Sequence, residues 1–137
     1  MKKVVIDTNC LIASIPPHRE EYWLYRAFSN FEFTWVVSTE ILNEYHEQLA
    51  EFYSQETADL VLKVLLSAPN IELAVPYYRW QLIEQDPDDN KFADLALAVN
   101  ATYLVSEDRH FNVLRKINFP KIEVVKLKEF RKLLNFQ

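Results

Sequence analysis

The chain has no glycine among its 137 residues. Glycine lets backbone approach a phosphate closely, so neither a P-loop nor a dinucleotide-binding turn can be built here. Turns must rely on Pro, Asn, Asp and Ser. Cysteine is nearly absent too. Cys10 stands alone, cannot form an internal bridge, and reads as a small hydrophobe in a reducing compartment. No apolar run approaches the ~20 residues of a membrane span. Met1-Lys2-Lys3 is followed by only a few apolar residues before Asp7, too few for a secretory leader. The expectation is a cytoplasmic protein with no membrane partner.

What is present is a large apolar fraction and an uneven charge. Half of the residues are hydrophobic, enough to bury a core without disulfides in one domain spanning residues 1–137. The net charge is −5, but from residue 109 onward eight basic residues stand against two acids, Glu123 and Glu129. That segment is +6 and residues 1–108 are −11. An acidic pocket beside a basic segment suits an enzyme that binds metal and a polyanion together. A Lys-rich terminal helix that serves solubility is the alternative.

Strand-like and helix-like segments alternate. Lys3 to Asp7, Phe33 to Ser38, Ile71 to Val75, Thr102 to Ser106 and Ile122 to Val125 are short, apolar and rich in β-branched residues, so they read as strands. Helical patterns fall between them: Thr8 to Ser14, Glu20 to Phe28, Thr39 to about Tyr53, Gln55 to Leu66, Lys91 to Asn100, Phe111 to Arg115, and Leu127 to Leu134. Alternation of this kind predicts an α/β fold in three layers, with a mostly parallel sheet of about five strands flanked by helices.

Carboxylates gather where these elements meet. Asp7 ends the first strand, Glu44 lies early in the helix after the second, Asp86, Asp88 and Asp89 cluster around Pro87 before the next helix, and Asp108 follows Tyr103-Leu104-Val105-Ser106. Each has an ordinary explanation as a helix cap, a turn or a solvated face. Together, at the C-terminal edge of a parallel sheet, they suggest one ligand site. Several acids there repel one another unless a cation lies between them, and a hard, oxygen-seeking Mg²⁺ or Mn²⁺ is the cation that fits. Asp89 opens a helix and is preferred over Asp86 as a ligand; Asp94 reads as peripheral. His18, His46 and His110 lack ligand spacing and read as surface or structural residues. Glu107 is expected to point away from the site.

Four stretches carry a resemblance: Val5-Ile6-Asp7-Thr8-Asn9, Ser38-Thr39-Glu40-Ile41-Leu42-Asn43-Glu44, Asp86-Pro87-Asp88-Asp89-Asn90-Lys91-Phe92-Ala93-Asp94-Leu95-Ala96, and Tyr103-Leu104-Val105-Ser106-Glu107-Asp108. In this order they resemble the PIN-domain family of metal-dependent ribonucleases, and within it the toxins of bacterial toxin–antitoxin pairs related to VapC. The resemblance implies an endoribonuclease with Asp7, Glu44, Asp89 and Asp108 as catalytic and metal-binding acids. Asp7 would be the central ligand, and Glu44 would act through water. Asn9 and Ser106 match positions that orient the acids, and Asp86 is a secondary ligand. Arg109, Arg115 and Lys116 become candidates for holding RNA. A cognate antitoxin and a homodimer are implied partners, with Tyr22, Trp23, Tyr25 and Trp80 as interface aromatics. The chain departs from the family pattern at Glu107, where related toxins often have glycine.

Two other readings compete. A phosphatase with Asp7 as nucleophile would need a second Asp two residues on, where this chain has Asn9. A non-catalytic module that binds RNA or protein would tolerate the extra charge of Glu107.

Overall fold

The computed structural model describes residues 1–134. Five strands form one sheet: β1 (Lys3–Ile6), β2 (Thr34–Val37), β3 (Ile71–Leu73), β4 (Tyr103–Val105) and β5 (Val124–Val125). Every pairing is parallel and the order is β3-β2-β1-β4-β5. The intervening helices are α1 (Thr8–Ala13), α2 (Trp23–Ser29), α3 (Thr39–Phe52), α4 (Gln55–Ser67), α5 (Asn90–Ala98), α6 (Asn112–Arg115) and α7 (Leu127–Leu133). Short 3₁₀ turns precede α2, α5 and α6. The expected α/β architecture is therefore what the chain adopts, and the sheet is parallel throughout its described strands. No helix among the described residues is long and apolar enough to cross a membrane.

The strands are short apolar runs because both faces of the sheet are covered. Val4, Val5, Ile6, Trp35, Val36, Val37, Leu104 and Val105 are all essentially inaccessible to solvent. Cys10 joins this core, where burial pushes its thiol well above the ordinary range. Trp23, a candidate interface aromatic, is buried as well and packs on Phe130 at a ring separation of 6.0 Å. Tyr22 and Tyr25 are half-buried and line an apolar cleft with Leu60, Val61 and Val64 of α4.

Without glycine, other residues take the left-handed backbone. Phe31 and Asn100 do so just after α2 and α5, at φ 60° and 52°. In each case the next amide bonds back to the helix, Glu32 N–H to the Ala27 carbonyl and Ala101 N–H to the Ala96 carbonyl. This is the usual helix stop, made here with side chains that cost about 1–2 kcal/mol more than glycine would.

One buried hydrogen-bond chain ties the sheet to the helix that carries Glu44. The Trp35 indole N–H donates to the Tyr45 hydroxyl at 3.2 Å, and that hydroxyl donates to the Ile6 carbonyl, one residue before Asp7. Tyr45→Phe leaves a buried donor and a buried acceptor unpaired. The expected loss is about 1–3 kcal/mol of stability, read as a lower denaturation midpoint with unchanged slope.

Candidate metal centre

The strand order turns around β1. The chain moves to one side of it through β2 and β3, and to the other through β4 and β5, so the connections after β1 and β4 border a crevice at the C-terminal edge. Register places the crevice residues. Ile6 is level with Val105, and the Asp7 N–H bonds the Val105 carbonyl at 2.9 Å, so Asp7 and Ser106 emerge side by side.

Ser106 links two of the acids. Its hydroxyl donates to Asp7 Oδ2 at 2.9 Å and accepts the Asp108 N–H at 3.0 Å. Asp108 in turn caps the following 3₁₀ turn, accepting the His110 N–H at 2.9 Å. Ser38 caps α3 by accepting the Ile41 N–H, which starts the helix so that Glu44 returns toward Asp7. There Glu44 has both oxygens engaged. Oε2 accepts from the Thr8 hydroxyl, and Oε1 lies 2.7 Å from the Lys91 ammonium. Asp89 ends the turn Pro87–Asp89, which Asp86 caps by accepting the Asp88 N–H. Helix α5 then packs on β1 and β4, which holds Asp89 against the crevice.

The electrostatics record how close the acids are. Asp7 is 5% exposed. Burial first, then the charges of Glu44 and Asp108, push its carboxyl up to about 6, while hydrogen bonds from Ser106 and Thr8 work the other way. Asp89 is pushed up to about 7 by burial and by Asp86, Asp7 and Asp108, against the pull of His110. Two carboxyls held well above the ordinary carboxylate range mark a pocket short of positive charge.

The shortage has a location. Among the described residues, Asp89 Oδ2 and His110 Nδ1 are the two buried side-chain polar atoms without a hydrogen-bond partner. They face each other at 3.5 Å, and His110 Nδ1 also lies 3.4 Å from Asp108 and 3.8 Å from Asp86. Ligand atoms of Asp86, Asp89 and His110 lie within 4.8 Å of one another. Such a set of oxygens and one imidazole nitrogen, with orphaned lone pairs, fits a divalent ion.

Two expectations, those for His110 and Asn9, need correction. His110 is not a surface or structural histidine but part of the acidic pocket. No spacing within one segment reveals this, because its neighbours Asp86 and Asp89 come from another loop. Asn9 is exposed and lines a separate cavity with Cys10 and Glu107, and no hydrogen bond from it to the acids occurs among the described residues. Thr8, one residue earlier, makes the contact instead. Arg115 faces Glu129 of α7 at 3.9 Å. Arg109 and Lys116, by contrast, line a groove of about 540 Å³ with His110, Gln85 and Asn112. Asp94 is buried, accepts the Trp80 N–H at 3.1 Å, and is held above the usual carboxylate range by burial. The Glu107 carboxylate accepts the Leu127 N–H at 2.7 Å, at the start of α7.

A parallel sheet with an acidic crevice at its switch point places the chain among the α/β proteins whose ligands bind at the carboxyl ends of the strands. Within that class, the chain belongs to the PIN domain family, whose model matches residues 3–110. The matched span contains every acid of the crevice and ends at His110. No curated protein matches the chain in sequence. Among solved structures, it is similar to a chain in the crystal structure of VapBC2 from Rickettsia felis bound to a DNA fragment from their promoter. The identity is 21%, the TM-score 0.64, and the match covers 90% of this chain and 98% of that one.

Proposed function

We propose that this protein is a metal-dependent endoribonuclease and the toxin of a toxin–antitoxin pair, acting in the cytoplasm. The reading is supported chiefly by one observation: acids from separate segments act on one another across a single crevice, Glu44 and Asp108 on Asp7, and Asp86, Asp7 and Asp108 on Asp89, while ligand atoms of Asp86, Asp89 and His110 lie within 4.8 Å of one another. Asp7, Asp89 and Asp108 would hold Mg²⁺ or Mn²⁺, with His110 and Asp86 beside them. Such an ion, when bound, lowers the pKa of a coordinated water and neutralises phosphoryl oxygens. Ser106 fixes the Asp7 carboxylate and the Asp108 backbone in place. Glu44, held by Thr8 and Lys91, would orient the attacking water rather than grip the ion. The antitoxin is suggested by the fold shared with a chain of the VapBC2 complex.

RNA would enter along the groove between Arg109 and Lys116, which leads to His110. Phosphate contacts of this kind supply affinity without sequence readout. In an Asp7→Asn background, which prevents turnover, Lys116→Ala should weaken binding to single-stranded RNA and lower the slope of log K against log salt by about 0.7. An unchanged slope for both Lys116→Ala and Arg109→Ala would place the RNA elsewhere. The function as a whole is tested with purified protein and labelled RNA: cleavage with Mn²⁺ or Mg²⁺ and none in EDTA is the expected result, while cleavage indifferent to EDTA contradicts it.

A further inference from the structure

Lys91 sits where local electrostatics disfavour a cation. It is the second residue of α5, in the turn where the helix dipole favours negative charge. Its side chain is nevertheless 12% exposed and turned into the acidic crevice. The ammonium lies 2.7 Å from Glu44 Oε1, donates to the Asp88 carbonyl at 2.6 Å, and stands 5.6 Å from the centre of the Phe92 ring. Glu44 spends its other oxygen on Thr8. The remaining acids are arranged differently. Asp89 keeps a buried oxygen without a hydrogen bond, 3.5 Å from His110 Nδ1, and the charges of Asp86, Asp7 and Asp108 act on it. The crevice thus has two halves: in one Glu44 is paired with the Lys91 ammonium, and in the other Asp86, Asp89 and Asp108 share a single imidazole nitrogen, that of His110.

We propose that the Lys91 ammonium takes the place of a second divalent ion, so that the crevice holds a single ion on the Asp89 side and Lys91 acts as the residue that positions Glu44. This rests on the metal-centre reading above. Two-ion hydrolases carry both ions about 3.5–4 Å apart, each needing carboxylate oxygens of its own. A second ion here would have to draw on Glu44, against an ammonium already in contact with it.

Mn²⁺ titration followed by the EPR signal of the free ion gives the count directly. Wild-type protein should saturate at about one Mn²⁺ per chain. Lys91→Met should gain a second, and Lys91→Arg, which keeps the charge, should stay at one. Wild-type saturation at two ions of similar affinity overturns the inference, and so does a Lys91→Met protein that folds yet still binds only one. Failure of wild-type protein to bind Mn²⁺ at all overturns the metal centre itself. Should Lys91→Met not fold, the wild-type count and the Lys91→Arg count decide.

Discussion

Asp7→Asn is expected to reduce metal-dependent RNA cleavage by at least about 100-fold while leaving the fold intact. Mutating partners that only orient a metal ligand typically costs ~10–100-fold in affinity or activity, and Asp7 is proposed as a ligand itself. Its carboxylate accepts the Ser106 hydroxyl at 2.9 Å, and the charges of Glu44 and Asp108 act on it. The amide keeps the size of the side chain and can still accept the Ser106 hydrogen bond. What it removes is a buried negative charge. Circular dichroism should be unchanged and Mn²⁺ affinity should fall in parallel with cleavage. Full activity in Asp7→Asn would remove Asp7 from the chemistry.

The second large effect concerns pH. Asp7 is raised from 3.8 to about 6 and Asp89 from 3.8 to about 7. The folded state therefore keeps protons that the unfolded chain has already released. Between these values the folded protein binds more protons, so its stability falls as pH rises. The favourable contribution is complete below about pH 3.8 and lost once pH has passed through 6 to 7. For the well-buried Asp7 the shift corresponds to about 3 kcal/mol. In EDTA the protein should melt on the order of 10 °C lower at pH 8 than at pH 5. Millimolar Mn²⁺ should close most of that gap, because the ion binds only the folded, deprotonated crevice. Asp7→Asn should flatten the EDTA profile. A melting temperature indifferent to pH in EDTA, or Mn²⁺ stabilisation as large at pH 5 as at pH 8, would contradict the proposed crowding of acids.

The sequence carried much of this arrangement, for identifiable reasons. Runs such as Val4-Val5-Ile6 and Trp35-Val36-Val37 are apolar on both faces, which only a covered strand tolerates. Ser38 and Asp86 announce the helix and the turn that they cap. Acids just past such strands point to the sheet edge. What local pattern could not convey was how separate segments meet. His110 joins Asp86 and Asp89 only because β4 lies beside β1, with α5 packed across both. The exchange of roles between Asn9 and Thr8 depends on how α1 is rotated about its axis, which adjacent residues cannot fix. Lys91 did leave a trace, a cation in the first turn of a helix, where the dipole opposes it. A residue set against its local preference often has a partner elsewhere, here Glu44.

The central claim is that one divalent-ion site lies among Asp7, Asp89 and Asp108. Anomalous diffraction from crystals soaked in Mn²⁺ tests it most directly. A peak within coordination distance of Asp89 and at least one of Asp7 and Asp108, absent in Asp7→Asn crystals, is the predicted result. Crystals that take up Mn²⁺ only at other surfaces, with the crevice acids unmoved, would contradict it.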